Sequence, residues 1–296
     1  MLKRFGLFML TNILVIVTVS AIMYFVLPAL GIEPRGYMGL AIFCGIFGMG
    51  GAFISLQISR WMAKKFYNIQ VIDRSVHDST LLRLRDMVVQ ISRQAGLKTP
   101  PEVGVYVQDD PNAFATGPSK EKSIVAFSTG LLQSMSEEEV RAVAAHEVSH
   151  IANGDMVTMT LLTGISNALV MFLARIIASI INNVLSDEDG GGLGFFGYIV
   201  VVMLLETVLM LLAAIPLAWF SRQREYRADA GAAKFAGPGG MISALQTLKQ
   251  ISESTDVKTE KDSFAMAKIS SRRRMSLWST HPPLEDRIAR LSGMRR

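Results

Sequence analysis

Long uncharged stretches alternate with charged ones along this chain, and the alternation predicts which segments cross a membrane. The 23 residues Phe5–Leu27 carry no charge; as a helix rising about 1.5 Å per residue they extend roughly 34 Å, enough for the hydrocarbon core. Lys3 and Arg4 ahead of them would suit a signal peptide, but the apolar part is longer than such segments usually are and another span follows, so a retained helix is expected. After Pro28, Glu33, Pro34 and Arg35, a second uncharged run extends from Gly36 to Ser59 and stops at Arg60, Lys64 and Lys65. Its glycines, among them Gly45, Gly48 and Gly51, permit close packing against another helix. A third run covers Met156–Ala174 and continues past Arg175 to Ser186, and a fourth, Leu193–Phe220, is interrupted by Glu206 alone. Four transmembrane helices in two hairpins are therefore expected. Glu206, in the middle of its span, reads as a carboxyl facing the helix bundle, and Arg175 as a side chain snorkelling to the outer interface. Simple hairpin geometry sets the two at different depths, so no pair between them is expected.

The intervening segments look soluble. Leu81, Leu82, Leu84, Met87, Val88 and Ile91 recur at helical spacing and stop at Gly96, a left-handed cap position, before Pro100 and Pro101. Val103, Val105 and Val107, and then Ile124 to Phe127, read as short strands around the turn Asp109-Asp110-Pro111-Asn112. Ser136 followed by Glu139 forms a capping box that opens a helix through Val140, Val143, His146 and His150. Beyond the second hairpin come a helix to about Phe235, a Gly-Pro-Gly-Gly turn at Gly237 and a helix Met241–Ile251. A polar loop Ser252–Asp262, the basic run Arg272–Arg274 and an amphipathic helix carrying Leu284, Ile288 and Leu291 complete the pattern. The division this implies is 1–66 for the first hairpin, 67–155 for the first part of a soluble domain, 156–220 for the second hairpin and 221–296 for the second part.

Composition agrees with a membrane chain. Over 296 residues, 50% are hydrophobic and 19% charged, with a mean hydropathy of +0.33, against about 25% charge in an ordinary soluble domain. A single cysteine excludes an intrachain disulfide and any thiolate zinc finger. A metal must be held by histidine and carboxylate. The net charge of +5 sits where the positive-inside rule would put it: basic residues flank both free ends of the first hairpin, while the loop Asp187-Glu188-Asp189-Gly190-Gly191-Gly192 has none. The N-terminus and everything after Arg60 are accordingly expected on the cytosolic side.

The chemistry lies at His146-Glu147-Val148-Ser149-His150, an H-E-x-x-H pattern on a predicted helix. Positions i and i+4 share a helix face, so both imidazoles can reach one zinc ion, and Glu147 is left beside the reacting water as general base. With four histidines in the chain, two at this spacing around a glutamate are poorly explained as a solvated helix. A catalytic zinc takes a third protein ligand. Asn153 and Met156 stand where a metzincin would need glycine and histidine, which removes that class. His77, ahead of the first soluble helix, reads as a surface or core histidine. Glu225 is the better candidate, with His281 its rival: Glu225 and Asp229 share a helix face in Glu225-Tyr226-Arg227-Ala228-Asp229, so one can ligate while the other holds the far nitrogen of a ligating imidazole. The bland alternative is an arginine-rich helix end in which acids balance bases. If His150 and Glu225 bind one ion, the chain between them crosses the bilayer an even number of times, and both lie only a few residues from an apolar run.

The set HEVSH, Asn112-Ala113-Phe114-Ala115, EYRAD and Ser279-Thr280-His281-Pro282, with two hairpins around it, resembles the HtpX-type membrane zinc endopeptidases, heat-shock gluzincins whose family also contains the CAAX-prenyl endopeptidases. The similarity covers essentially the whole chain. It implies an α+β zincin-like, mainly α metalloprotease domain combined with the four transmembrane helices, one zinc bound by His146, His150 and Glu225, and Glu147 as catalytic acid/base. A donor to the developing oxyanion is needed as well, and His281, Tyr226 or Arg222 can supply it. The resemblance also implies that Asn112, Ala113, Phe114 and Ala115 form an edge strand pairing with extended substrate, although Asp-Pro-Asn is good turn chemistry in its own right.

The implied activity is hydrolysis of misfolded or damaged membrane proteins at the cytosolic face of a bacterial inner membrane, with unfolded or membrane-protein substrates and the lipid bilayer as partners and self-cleavage as a further outcome. The alternative among enzymes is a processing protease of the CAAX-prenyl type, which carries more spans than these four. The alternative outside enzymes is a scaffold or metal transporter, disfavoured because the histidines lie outside the spans. No nucleic acid partner is expected, since Arg272–Arg274 reads more simply as a contact with anionic lipid.

Overall fold

The computed structural model describes residues 36–73, 75–186, 192–259 and 280–294. In chain order these form α1 (Gly36–Phe66), β1 (Gln70–Val71), α2 (Ser79–Gln94), β2 (Glu102–Tyr106), β3 (Ala113–Thr116), β4 (Ile124–Ser128), α3 (Thr129–Ser134), α4 (Glu137–Asn153), α5 (Asp155–Leu185), α6 (Gly194–Ala236), α7 (Pro238–Thr259) and α8 (Leu284–Gly293). The expected first span Phe5–Leu27, most of the acidic loop Asp187–Gly192, Arg272–Arg274 and Ser279 lie outside the described residues. Among the described residues, three helices are long and apolar enough to cross a membrane: α1, α5 and α6. The described chain divides into two compact units, one made of 36–54 and 160–216, the other of 55–159 and 217–294.

In the first unit, α1 and α5 approach where side chains are smallest. A Cβ added to Gly48 would lie 2.6 Å from the Cα of Ala168, and one added to Gly164 would lie 3.2 Å from the Cα of Met49. The outer faces carry exposed apolar residues such as Met38, Ile165 and Leu204, suited to lipid contact. Contrary to the sequence expectation, Arg175 and Glu206 do pair: Nη1 of Arg175 donates to Oε1 of Glu206 at 2.6 Å and to the carbonyl of Met171 at 3.0 Å. Their depths match when counted from the α5–α6 connection. Arg175 lies 10 residues before Leu185 and Glu206 lies 12 after Gly194, about 15 and 18 Å along their helices. Buried away from water, each charge is better satisfied by the other than by snorkelling.

The second unit is built on a four-stranded sheet of order β1-β2-β4-β3, with β2 parallel to β4 and both β1 and β3 antiparallel to their neighbours. All five residues of β4 are buried, as a central strand covered on both faces requires. Its alternation divides the core. Val125 and Phe127 pack with Val88, Ile91, Val148 and Leu245, whereas Ile124 and Ala126 face Tyr106 and Ile69. α2 begins where Asp78 accepts from the amides of Thr80 and Leu81, buries Leu84, Val88 and Ile91, and ends just before Gly96 at φ 78°. α4 carries the expected capping box: the Ser136 amide donates to Oε2 of Glu139 at 2.8 Å while the Glu139 amide donates to the Ser136 hydroxyl. Oε1 of Glu139 also accepts from Ser243 and Thr247 of α7, both at 2.7 Å, which locks α7 against the start of α4. Because α7 is continuous to Thr259, the loop expected over Ser252–Asp262 is helical in its described part. Polar composition disfavours a core there but does not prevent a helix that is anchored at its other end.

Candidate metal centre

α4 delivers the H-E-x-x-H pattern because its inner face is almost free of bulk: Ala142, Ala144, Ala145 and Val148 are fully buried, which lets neighbouring helices approach closely. The helix stops at Gly154, whose φ of 71° suits a residue without a side chain. α5 then starts at Asp155. α6 runs 43 residues from Gly194 to Ala236 through Pro216, and its last turns present Glu225 and Asp229.

Three donor groups converge. Nε2 of His146 and Nε2 of His150 are 3.1 Å apart. The Glu225 carboxylate faces both, with Oε1 3.4 Å from His150 Nε2 and Oε2 3.6 Å from His146 Nε2. Bonds of 2.0–2.1 Å to a tetrahedral zinc imply ligand atoms about 3.3 Å from one another, and the two imidazoles and the carboxylate meet at close to that separation, although the two Glu225 distances are to different oxygens. Among the described residues, His146, His150 and Glu225 form the group that can hold a metal. Each histidine has a carboxylate at its far nitrogen. Asp229 Oδ1 lies 3.0 Å from His146 Nδ1, a close contact rather than an aligned hydrogen bond, and Asp155 Oδ2 lies 2.7 Å from His150 Nδ1.

The electrostatics favour a cation. Burial alone would depress His150, but the Asp155 and Glu225 carboxylates hold it up at about 9. His146 is likewise raised, against its burial, by Asp229 and Glu225. Burial would raise Glu225, yet the contacts with His146, His150 and His281 keep it far below the usual carboxylate range, and Arg287 with His146 lowers buried Asp229 against its burial. Converging carboxylates thus stabilise positive charge at the two Nε2 atoms, whether a proton or a metal supplies it.

The expected residues divide clearly. Glu147 is 9% exposed, adjacent to His146 on α4, and its carboxylate forms neither hydrogen bond nor ion pair with another described residue. His281 reaches the cluster from its open side, 70% exposed, with Nδ1 3.2 Å from Glu225 Oε2. Tyr226 instead lies beneath Arg290, whose guanidinium carbon is 4.0 Å from the ring centre. Arg222 is buried one helical turn before Glu225, and His77 is exposed ahead of α2. Ala113 and Ala115 lie on β3, a sheet-edge strand, and pack on the core side; Phe114 faces Tyr67 and Tyr106 with centroids 5.3 and 5.6 Å away. Asn112 precedes the strand, its amide donating to the Ser128 hydroxyl and its carbonyl accepting from the Ser128 amide, both at 2.9 Å.

Two residues of the centre escaped sequence reasoning. Arg287 of α8 donates to both oxygens of Asp229 at 2.6 and 2.8 Å and lies 3.7 Å from Glu225. Its signal was present: position 287 falls within the apolar stripe Leu284, Ile288 and Leu291, so a charge there points inward. Asp155 has no helical spacing to His150, because Gly154 turns the chain between them.

The model of peptidase family M48 matches residues 79–295. Protease HtpX of Shewanella baltica (strain OS185) is 50% identical over 293 residues, covering 98% of this chain and 99% of that one. Protease HtpX of Shewanella oneidensis is 50% identical over 295 residues, covering 99% and 100%. The crystal structure of S. mikatae Ste24p is similar in fold, with a TM-score of 0.56 at 20% identity over 85% of this chain, which spans 56% of that longer one.

Proposed function

The chain belongs to peptidase family M48 and is a multi-pass membrane metalloprotease, and we propose that it is a zinc endopeptidase in which His146, His150 and Glu225 hold the metal and Glu147 moves the protons. The convergence of the two Nε2 atoms and the Glu225 carboxylate within 3.1–3.6 Å carries this reading. Bound there, zinc would bring the pKa of water toward about 7 and polarise the scissile carbonyl. Glu147, beside His146 and without a side-chain partner among the described residues, accepts a proton from the attacking water and returns it to the departing amine. His281, at the open side of Glu225, is the best-placed donor to the developing oxyanion. An extended substrate adds to the outer edge of β3, the last strand of the sheet among the described residues, through main-chain hydrogen bonds, which tolerate many sequences.

Such tolerance suits disposal of misfolded membrane proteins. We assign four spans in two hairpins, divided as 1–66, 67–155, 156–220 and 221–296, in a bacterial inner membrane. Arg60, Lys64 and Lys65 after the apolar part of α1, and Arg222, Arg224 and Arg227 after that of α6, favour a cytosolic site. The test is digestion of an unfolded model protein by the detergent-purified chain with zinc or chelator. Zinc-dependent fragments from the wild type, absent with Glu147→Gln although that variant still binds zinc, are expected; full activity of Glu147→Gln would refute the assignment.

A further inference from the structure

We propose that Asp155 is a positioning residue for the metal, one that sets the ring of His150 and is itself held by the arginines flanking Glu225. The inference rests on the zinc reading above. Asp155 is 1% exposed, and its Oδ2 lies 2.7 Å from Nδ1 of His150. A carboxylate at Nδ1 keeps that nitrogen as the N–H donor and leaves Nε2 with its lone pair toward the ion. Asp155 is fixed in turn. Its other oxygen lies 3.6 Å from Nη2 of Arg227, and its main-chain carbonyl accepts from Nη1 of Arg224 at 3.4 Å. Arg224 and Arg227 bracket Glu225 on α6, so they do more than balance charge at a helix end.

One short stretch of α6 therefore organises the whole centre. Glu225 faces the metal position, Asp229 lies against Nδ1 of His146, and the two arginines contact the residue that is bonded to His150. A plainer reading makes Asp155 the acidic opening residue of α5, favourable to the helix dipole. Against it, among the described residues no backbone N–H donates to its carboxylate, which is spent on His150 instead.

The two readings separate by zinc affinity, measured by chelator competition on the full chain in detergent, beside the melting temperature of the metal-free protein. Asp155→Ser keeps a small polar residue at the helix start but cannot reach Nδ1; Asp155→Asn reaches it without charge. We expect zinc affinity to fall about 100-fold for Ser and about 10-fold for Asn, a loss larger than any fall in the metal-free melting temperature accounts for. If Ser fails to fold, Asn decides alone. Wild-type affinity in the variants, or a loss that merely follows a lowered melting temperature, overturns the proposal. A wild type that binds no stoichiometric zinc overturns the zinc reading first and this inference with it.

Discussion

Adding one methyl group to Gly231 should damage both stability and metal binding, because this glycine sets how closely α6 approaches α4. Its Cβ would lie 2.7 Å from the Cβ of Ser149 and closer still to that hydroxyl, whereas carbon atoms in contact sit about 3.5–4.0 Å apart. Ser149 cannot easily move aside. It is 3% exposed, stands one residue before His150, and donates to the carbonyl of Ala145 at 2.7 Å. The helices must therefore separate by about 1 Å or the serine must leave its rotamer, and overpacking of this kind costs about 1–3 kcal/mol. At roughly 2–4 °C per kcal/mol for a unit of this size, Gly231→Ala should lower the melting temperature by about 2–12 °C. A metal site tolerates only about 0.2 Å in its bond lengths. Since Glu225 rides on α6 and both histidines on α4, zinc affinity should fall at least about 10-fold, which is roughly 1.4 kcal/mol. Differential scanning fluorimetry and chelator competition in detergent measure the two effects. Ser149→Gly, but not Ser149→Ala, should restore metal affinity in the double variant. A Gly231→Ala protein that melts and binds zinc like the wild type would refute the close-approach argument.

Removing the cation behind the centre is expected to be worse than removing the pair. Arg287→Met strands the buried Asp229 and Glu225 carboxylates and should cost about 3–5 kcal/mol, whereas Arg287→Met with Asp229→Leu should recover much of that stability, though not the metal affinity, in urea titrations. Glu139 titrates in the folded chain below its ordinary value, because its bonds to Ser243, Thr247 and Ser136 outweigh its burial. Its contribution is present above the ordinary glutamate range and disappears as pH falls through the lowered folded value. The melting-temperature gap between wild type and Glu139→Gln should therefore close on acidification; a gap independent of pH would contradict it. The buried Ser128 hydroxyl accepts from the amides of Asn112 and Leu131 and donates to the carbonyl of Asp110. Ser128→Ala should cost about 1–3 kcal/mol and, by loosening the entry to β3, raise KM more than it lowers kcat.

The centre was legible wherever its geometry follows helical spacing. His146, Glu147 and His150 at i, i+1 and i+4, and Glu225 with Asp229 at i and i+4, declare shared faces without any tertiary knowledge. The capping box at Ser136 and the left-handed glycine after α2 are equally local. What stayed hidden depends on distance across the fold. Asp155 meets His150 only because the left-handed Gly154 interrupts the helix between them, and Arg287 meets Asp229 across 58 residues. The Arg175–Glu206 pair was misread because depth was counted from the wrong ends of the spans. The two-residue β1 and the six-residue α3 are too short to leave a periodic signature, and each exists because a neighbouring element completes its hydrogen bonds.

Zinc K-edge X-ray absorption on the detergent-purified chain tests the shared-ion centre most directly. One zinc per chain is predicted, bound by two imidazole nitrogens and a carboxylate oxygen at about 2.0–2.2 Å, with the carboxylate contribution lost in Glu225→Ala. Substoichiometric metal, or a spectrum unchanged by Glu225→Ala, would contradict it.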